Sequence, residues 1–413
     1  MELLKVDTLE EAREKLRAIT QGKQLKIQEL ETTDALHYIL AEDIHSPLDI
    51  PDFRRSTVDG YAVLAKDTWG AKESNPVFLN VIGEVEMGVE VSQEIQSGEC
   101  MYVPTGGMLP LGADACVMVE YCENFAGDSI ALYTTVASGS HVVAVGEDVA
   151  RGDLVMSSGT RLSPGHIATL SAMGITCIKV YQPPTVTILS TGDEIASPAE
   201  VKGPGQVYDV NSYGLWGMAK QQHFTIIKMA IVKDEEELLR IHVTEAMASS
   251  DVVLVSGGSS QGKKDATKKI LDEVASPGVF AHGLALKPGK PTILGYDQNS
   301  ETILVGLPGH PVAAMLVFEL IVLEFYRERM GQAEEIPLLA TLAVNLPGAP
   351  GKTTCQLVEV KETVEGYLAD PIFGKSGLIT TLKNADGYII IPHNQEGLTA
   401  GEQVKVWRNG IFI

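Results

Sequence analysis

The sequence is short of positive charge. Its 413 residues carry 32 Lys and Arg against 54 Asp and Glu, a formal net charge of −22 at pH 7. That balance argues against nucleic acid or an anionic membrane as a partner. Cysteine is scarce too. Cys100, Cys116, Cys122, Cys177 and Cys355 form no C-x-x-C, and an odd, scattered set suits a reducing compartment better than a disulfide framework. The nine histidines form no H-x-x-x-H or H-E-x-x-H, so the familiar zinc patterns are missing. No apolar run is long enough to span a bilayer. The most apolar, residues 311–325, is interrupted by Glu319 and Glu324 and reads as a buried helix. The opening stretch, MELLKVDTLEEAREKL, is charged and has no signal-peptide apolar region. The expected location is the cytoplasm. Internal repeats and low-complexity tracts are also lacking.

What is present is ordinary globular apolar content, enough for a sizeable core, on a chain long enough for two or three domains or more. DTLEEAREKLRAI opens a helix: Thr8 and Glu11 form a capping box, and Leu9, Ala12, Leu16 and Ile19 recur at helical spacing. A second short helix is expected near Thr33–Leu40. Residues 60–140 change to short β-rich runs between Gly-containing turns, the pattern of a small all-β domain. Pro164 sits well as the first residue of a helix reaching Met173. After QPP at 182–184, strands and helices alternate through TVTILS, TIIKMAIV, DVVLVS and TILVGLP, which implies a parallel sheet covered on both faces. Short strands and Gly turns return from about Ile336.

The expected fold class is therefore multidomain α/β. A central parallel-sheet α/β domain with helices on both faces is joined by a small β-rich domain, a mixed extended domain and a C-terminal β-barrel-like domain. The expected boundaries are 1–50 plus 142–182 for the N-terminal helix and mixed linking domain, 51–141 for the β-rich domain, 183–331 for the α/β domain and 332–413 for the C-terminal β domain.

Ligands on such sheets bind beyond the carboxyl ends of the strands. Three stretches sit there: STGDE, SGGSSQGKKDAT and GLPGHP. From Gly257 the second reads G-x-x-x-x-G-K, like a P-loop, but Lys264 stands where Ser or Thr would reach Mg²⁺. Gly257 and Gly258 permit close backbone approach, and the following helix start favours an anion. A tight turn with incidental lysines is the plainer alternative. Asp193, Glu194 and Asp265 fit a site in which Mg²⁺ lies between carboxylates and phosphate oxygens, although each alone also reads as a helix cap. In KPGKP, Lys287 and Lys290 are placed to clamp an oxyanion or to form a solvated turn. Pro308 and Pro311 frame a pocket wall, and His310 reads as a helix-start residue. Asp59 in RRSTVDGYAV and Thr105 in VPTGGMLPLGADA lie outside the α/β domain.

Taken together, PDFRRSTVDGYAV, PTGGMLPLGADACVMVE, GEDVARGD, LSTGDEI, SGGSSQGKKDATK, KPGKP and GLPGHPV follow the order and rough spacing of one family. Over essentially its whole length the sequence resembles the molybdopterin molybdenumtransferases, or molybdenum insertases, and the E domain of gephyrin. The resemblance implies molybdenum cofactor biosynthesis: an Mg²⁺-dependent transferase converts adenylylated molybdopterin and molybdate to the cofactor with release of AMP. It also implies a homodimer, with each site between the α/β domain of one subunit and the β-rich domain of the other. Implied partners are other proteins of the pathway and recipient molybdoenzymes. Implied catalytic residues are Asp59, Asp148, Glu194, Asp234 and Asp265. Implied substrate-binding residues are Thr105, Lys287, Pro308 and Pro311, to which the reading of the loop and turn as anion cradles adds Gly257, Gly258, Ser260, Gly262, Lys263 and Lys290. Asp193, Glu194 and Asp265 are the metal-ligand candidates.

The sequence departs from the family at four places. Val143, Ala144 and Val145 stand where many members have arginines, and Gly283 where some have lysine. His310 replaces a common Asn, and Lys263 an acid, which accounts for the P-loop appearance. The loop then reads as an anion cradle. Rival readings are a scaffold on the same fold, a nucleotide hydrolase and an insertase for tungstate.

Overall fold

The computed structural model describes residues 6–125, 127–257, 261–374 and 379–408; the side chains of 261–265, 379 and 380 lie outside that description. The chain forms two compact units. One comprises Glu42–Ser158 and Pro164–Cys177; the other comprises Met1–Ala41, Gly159–Ser163 and Ile178–Ile413.

The first of these is built on a six-stranded sheet in the order Ala115–Met118, Gly60–Val63, Glu99–Val103, Val77–Glu84, Ser129–Leu132 and Cys122–Asn124. Both faces are apolar: Tyr61, Val63, Leu79 and Ile130 belong to one core, and Ala62, Met101, Val103 and Cys116 to another. The strand after Asp59 must begin with glycine. A Cβ on Gly60 would lie 2.0 Å from the Val117 carbonyl oxygen. The helix expected from Pro164 forms as Pro164–Ala172 and lies in this unit.

In the larger unit the central sheet has strands β1 (Thr185–Thr191), β2 (Thr225–Val232), β3 (Val252–Gly257), β4 (Pro277–His282), β5 (Ile293–Asp297) and β6 (Thr302–Leu307). Their order is β2-β1-β3-β6-β5-β4. The first four in that row are parallel, as the alternation predicts; β5 runs antiparallel between β6 and β4. Helices α1 (Asn211–Gln221), α2 (Glu236–Met247), α3 (Gln261–Val274) and α4 (Pro311–Val317) cover it. Ile188, Leu254 and Val305 face a core with Leu215, Met218 and Leu316, while Leu189, Val253, Val255 and Leu304 face Leu239, Val243 and Ile270. Apolar residues on both faces of each strand explain the near-continuous Val/Ile/Leu runs. The apolar run after Pro311 is a continuous buried helical segment that passes through a π-helical stretch, Phe318–Leu323. Its Glu319 is 1 % exposed and pairs with Arg327 at 2.7 Å.

The Thr8–Glu11 capping box forms, and Leu9, Ala12 and Leu16 join the main core. The helix expected near Thr33–Leu40 does not form. A single 3₁₀ turn, Thr32–Asp34, is followed by His37 at φ 69° and by bridges from Ile39 to Arg161 and from Leu40 to Val180. Pairing with distant residues overrides the local preference. At the C-terminal end, Leu338–Leu342, Thr353–Thr363, Gly366–Pro371, Gly387–Ile391 and Gln403–Trp407 close into a five-stranded barrel around Leu342, Val358, Ile389 and Val406.

The amino ends of β1 and β3 are tied by charge. Asp251 accepts hydrogen bonds from the Thr185 N–H at 2.9 Å and hydroxyl at 2.7 Å, and its own N–H donates to the Thr185 hydroxyl at 2.8 Å. Lys23, 5 % exposed, approaches the same carboxylate at 3.5 Å and donates to the Glu301 carbonyl. Burial alone would raise the Asp251 pKa, but the Thr185 hydrogen bonds and the lysines hold it below the usual carboxylate value; burial pushes Lys23 down.

Candidate active site at the carboxyl ends of the central strands

The parallel register brings three strand ends level. Ser190 pairs with Ser256, Thr191 with Gly257, and Ser256 with Leu307. The connection from β1 leads to β2 on one side, while β3 lies on the other, so a crevice opens where the winding reverses. A cleft of about 430 Å³ occupies it. Its floor includes Ser190, Thr191, Ser256 and Gly257; its walls include Glu194, Lys202, Tyr208, Asp209 and Asn211, with Gly309, His310 and Pro311 at the start of α4. Gly257 is obligatory there: its φ is 138°, and a Cβ would meet the Thr191 carbonyl oxygen at 2.0 Å.

Local hydrogen bonds hold the walls. The segment after β1 folds back as a short parallel pair, Ile195–Ala196 with Val207–Tyr208. Lys202 in this loop lines the cleft, and its ammonium donates to the Gln206 carbonyl at 3.2 Å. Asp209 Oδ1 caps α1 by accepting the Ser212 N–H at 3.0 Å. The Asn211 amide nitrogen donates to Ser256 Oγ at 2.6 Å and to the Gly309 carbonyl at 3.1 Å, joining α1, the end of β3 and the loop before α4. The Thr191 hydroxyl, on a residue 2 % exposed, has no hydrogen-bond partner among the described residues.

Glu194, Gly257 and Pro311, among the sequence candidates, line this cleft. Asp193 lies beside it and accepts the Asp234 N–H at 3.4 Å. Pro308 is buried at the end of β6. Lys287 lines a separate cleft of about 320 Å³ with Thr354, Gln356 and Ile372, fixed by pairing of Leu286–Lys287 with Thr353–Thr354 of the barrel. Lys290 is exposed on the same turn. In the other unit, Asp59 and Thr105 meet: Asp59 Oδ1 accepts the Thr105 N–H at 2.7 Å and its hydroxyl at 3.0 Å. Asp148 is exposed in that unit, its N–H bonded to the Ile50 carbonyl. Gly258 and Ser260 lie outside the described residues, and so do the side chains of Lys263 and Asp265; Gly262 is described only as part of α3. Among the described residues no three His, Cys, Asp or Glu gather to hold a metal, and no helix is long and apolar enough to cross a membrane.

Sequence reasoning missed Thr191, Lys202, Asp209 and Asn211. Asp209 and Asn211 were visible as a helix-start signal, DVNS, and Thr191 stood within STGDE.

Known proteins share this sequence pattern and fold. Residues 7–174 match the MoeA N-terminal region (domain I and II), 187–328 the model described as "Probable molybdopterin binding domain", and 340–408 the MoeA C-terminal region (domain IV). The cleft lies within the second match. The chain is 30 % identical to a molybdopterin molybdenumtransferase of Haemophilus influenzae over 97 % of this chain and 98 % of that one, and 30 % identical to that of Bacillus subtilis over 93 % and 90 %. A molybdopterin biosynthesis MoeA protein from Pyrococcus horikosii superposes with a TM-score of 0.83 at 36 % identity, covering 97 % of this chain and 98 % of that one. With all three family regions in order along one chain, and the cleft inside the pterin-binding one, the chain belongs to the molybdopterin molybdenumtransferase (MoeA) family, transferases of molybdenum cofactor biosynthesis.

Proposed function

We propose that this chain transfers molybdenum from molybdate to adenylylated molybdopterin and releases AMP. The observation that carries the reading is the 430 Å³ cleft at the carboxyl ends of β1, β3 and β6, lined by residues of the STGDE, SGG and GLPGHP motifs. A pyrophosphate-linked substrate brings negative charge to a wall that already holds Glu194 and Asp209. Among the described side chains, positive charge comes from Lys202 on this cleft and Lys287 in the separate one. Lys287, held on a strand edge, is suited to bind an oxyanion.

The exposed, adjacent carboxylates Asp193 and Glu194 fit a hard cation that keeps water and phosphate oxygens among its ligands. Mg²⁺ bound there would neutralise charge on the phosphoanhydride. The protein's part is to orient the linkage, exclude bulk water and present the dithiolene sulfurs, which take the metal, to the oxyanion. The finer reading adds a cytoplasmic homodimer in which Asp59 and Thr105 of the partner subunit complete each site.

The test is incubation with adenylylated molybdopterin, Mg²⁺ and either molybdate or tungstate. The expected result is AMP release together with cofactor that reconstitutes an apo-molybdoenzyme, dependent on Mg²⁺ and faster with molybdate. ATP hydrolysis without any pterin would overturn the reading. Light scattering at micromolar concentration tests the dimer, and a stable, active monomer would remove the shared site.

A further inference from the structure

Two carboxylates line the cleft, and they differ in setting. Glu194 is exposed, whereas Asp209 is 5 % exposed, below the rim. Helix capping uses Asp209 Oδ1 only, through the Ser212 N–H. Oδ2 has no partner among the described residues. The Thr191 hydroxyl on the same cleft is 2 % exposed and also without one. Buried polar groups in native proteins are seldom left unmatched, so the Thr191 hydroxyl calls for a partner from water or a ligand, and Asp209 Oδ2 has acceptor capacity to spare on the same cleft. Asn211, held to Ser256 and Gly309, keeps the surrounding wall in place.

Resting on the functional reading above, we propose that Asp209 is a specificity-determining contact that reads the 2-amino-4-oxopyrimidine edge of the pterin. That edge presents an exocyclic amine and a ring N–H side by side, and a carboxylate accepts both in one plane as charge-assisted hydrogen bonds. The spare lone pairs of an ionised carboxylate allow this while Oδ1 still caps α1. The Thr191 hydroxyl then donates to the neighbouring ring carbonyl. Adenine cannot substitute: beside its amine stands a ring nitrogen that is an acceptor, which a carboxylate repels. The contact therefore orients a substrate that carries two heterocycles, directing the pterin and not the adenylyl group to the cleft floor.

The experiment measures binding of molybdopterin, 6-hydroxymethylpterin, the matching lumazine (2-oxo in place of 2-amino) and GMP to the full chain by fluorescence and competition. Wild type is compared with Asp209→Asn and Asp209→Ser, both of which retain a capping side chain. Wild type should prefer the pterin to the lumazine by at least roughly tenfold, since a site built for a substrate N–H rejects the analogue without it. Both variants should lose that preference and bind molybdopterin at least roughly tenfold more weakly, with unchanged melting temperature. Equal binding of pterin and lumazine by wild type, or a preference surviving in either variant, would overturn the assignment while leaving the transferase reading intact. GMP, whose guanine presents the same amine and ring N–H side by side, should compete for the wild-type cleft and lose that competition in both variants; GMP binding that is unchanged in Asp209→Asn and Asp209→Ser would overturn the assignment. Wild type that binds no molybdopterin would overturn the functional reading itself.

Discussion

The two ends of β1 are built from the same residue type and do opposite things. Thr185 opens the strand and Thr191 closes it. At the amino end the Thr185 hydroxyl both donates to and accepts from Asp251, and that carboxylate is in turn faced by Lys23. At the carboxyl end the Thr191 hydroxyl is buried without a partner among the described residues, in a cleft that Ser190, Glu194 and Gly257 also line. One end is closed on itself and contributes stability. The other leaves hydrogen-bonding capacity unused, as a surface prepared for a ligand does. Parallel strands place all their carboxyl ends on one side, so the sheet divides these two tasks by geometry.

The largest effect should come from breaking the closed end. Asp251→Asn leaves the Lys23 ammonium, 5 % exposed, without its carboxylate and should cost about 3 kcal/mol in denaturant unfolding. AMP release per folded molecule should stay at the wild-type value. The pH dependence has a definite sign. The folded pKa of Asp251 lies below the ordinary 3.8, so its contribution is present above 3.8 and is lost as pH falls through the folded value. Wild type should therefore show an acid-side loss of stability that the variant lacks. A variant with full stability and impaired turnover would mean the two ends are not separate.

Next is the open end. Glu194 is exposed on the cleft wall, so Glu194→Gln should leave melting unchanged. AMP release should fall by roughly 100-fold, the scale on which removing one preorganised electrostatic group acts. Steady-state kinetics with saturating substrate checks this. Unchanged turnover would reduce Glu194 to a solvated carboxylate and weaken the contrast between the ends.

How much of this was legible in the sequence depends on whether the deciding interaction is local. The parallel core was legible because runs such as TVTILS and DVVLVS are apolar on both faces and separated by helical periodicity. Strands β4 and β5 were not, because they sit among SPG, KPGKP and DQNS, and Pro and Gly there mark turns as strongly as strand ends. The helix expected near Thr33–Leu40 failed for a non-local reason, the pairing of Ile39 and Leu40 with Arg161 and Val180. Asp59 and Thr105, 46 positions apart, were tied to the site only through the family resemblance; the hydrogen bonds between them come from strand pairing that no local pattern reveals. Asp209 and Asn211 show the same limit from the other side. A helix cap and a ligand contact use the same residue types, and only burial and the facing residues distinguish them.

The finest test applies one substitution to both ends of one strand. Threonine to valine exchanges a hydroxyl for a methyl at nearly constant volume. Thr185→Val removes a hydrogen bond to a charged group and should cost about 2 kcal/mol in denaturant unfolding. Thr191→Val removes a buried hydroxyl that has no partner among the described residues, so a desolvation penalty goes with it. The ligand-free protein should gain up to about 1 kcal/mol, the low end of what an unsatisfied buried group costs. The same variant should bind 6-hydroxymethylpterin several-fold more weakly, because the ligand then meets a methyl where it had a donor. Opposite signs for one chemical change on one strand would be hard to obtain from packing alone. If Thr191→Val is instead destabilising by as much as Thr185→Val, the hydroxyl has a partner in the free protein, and the open end is closed on itself after all.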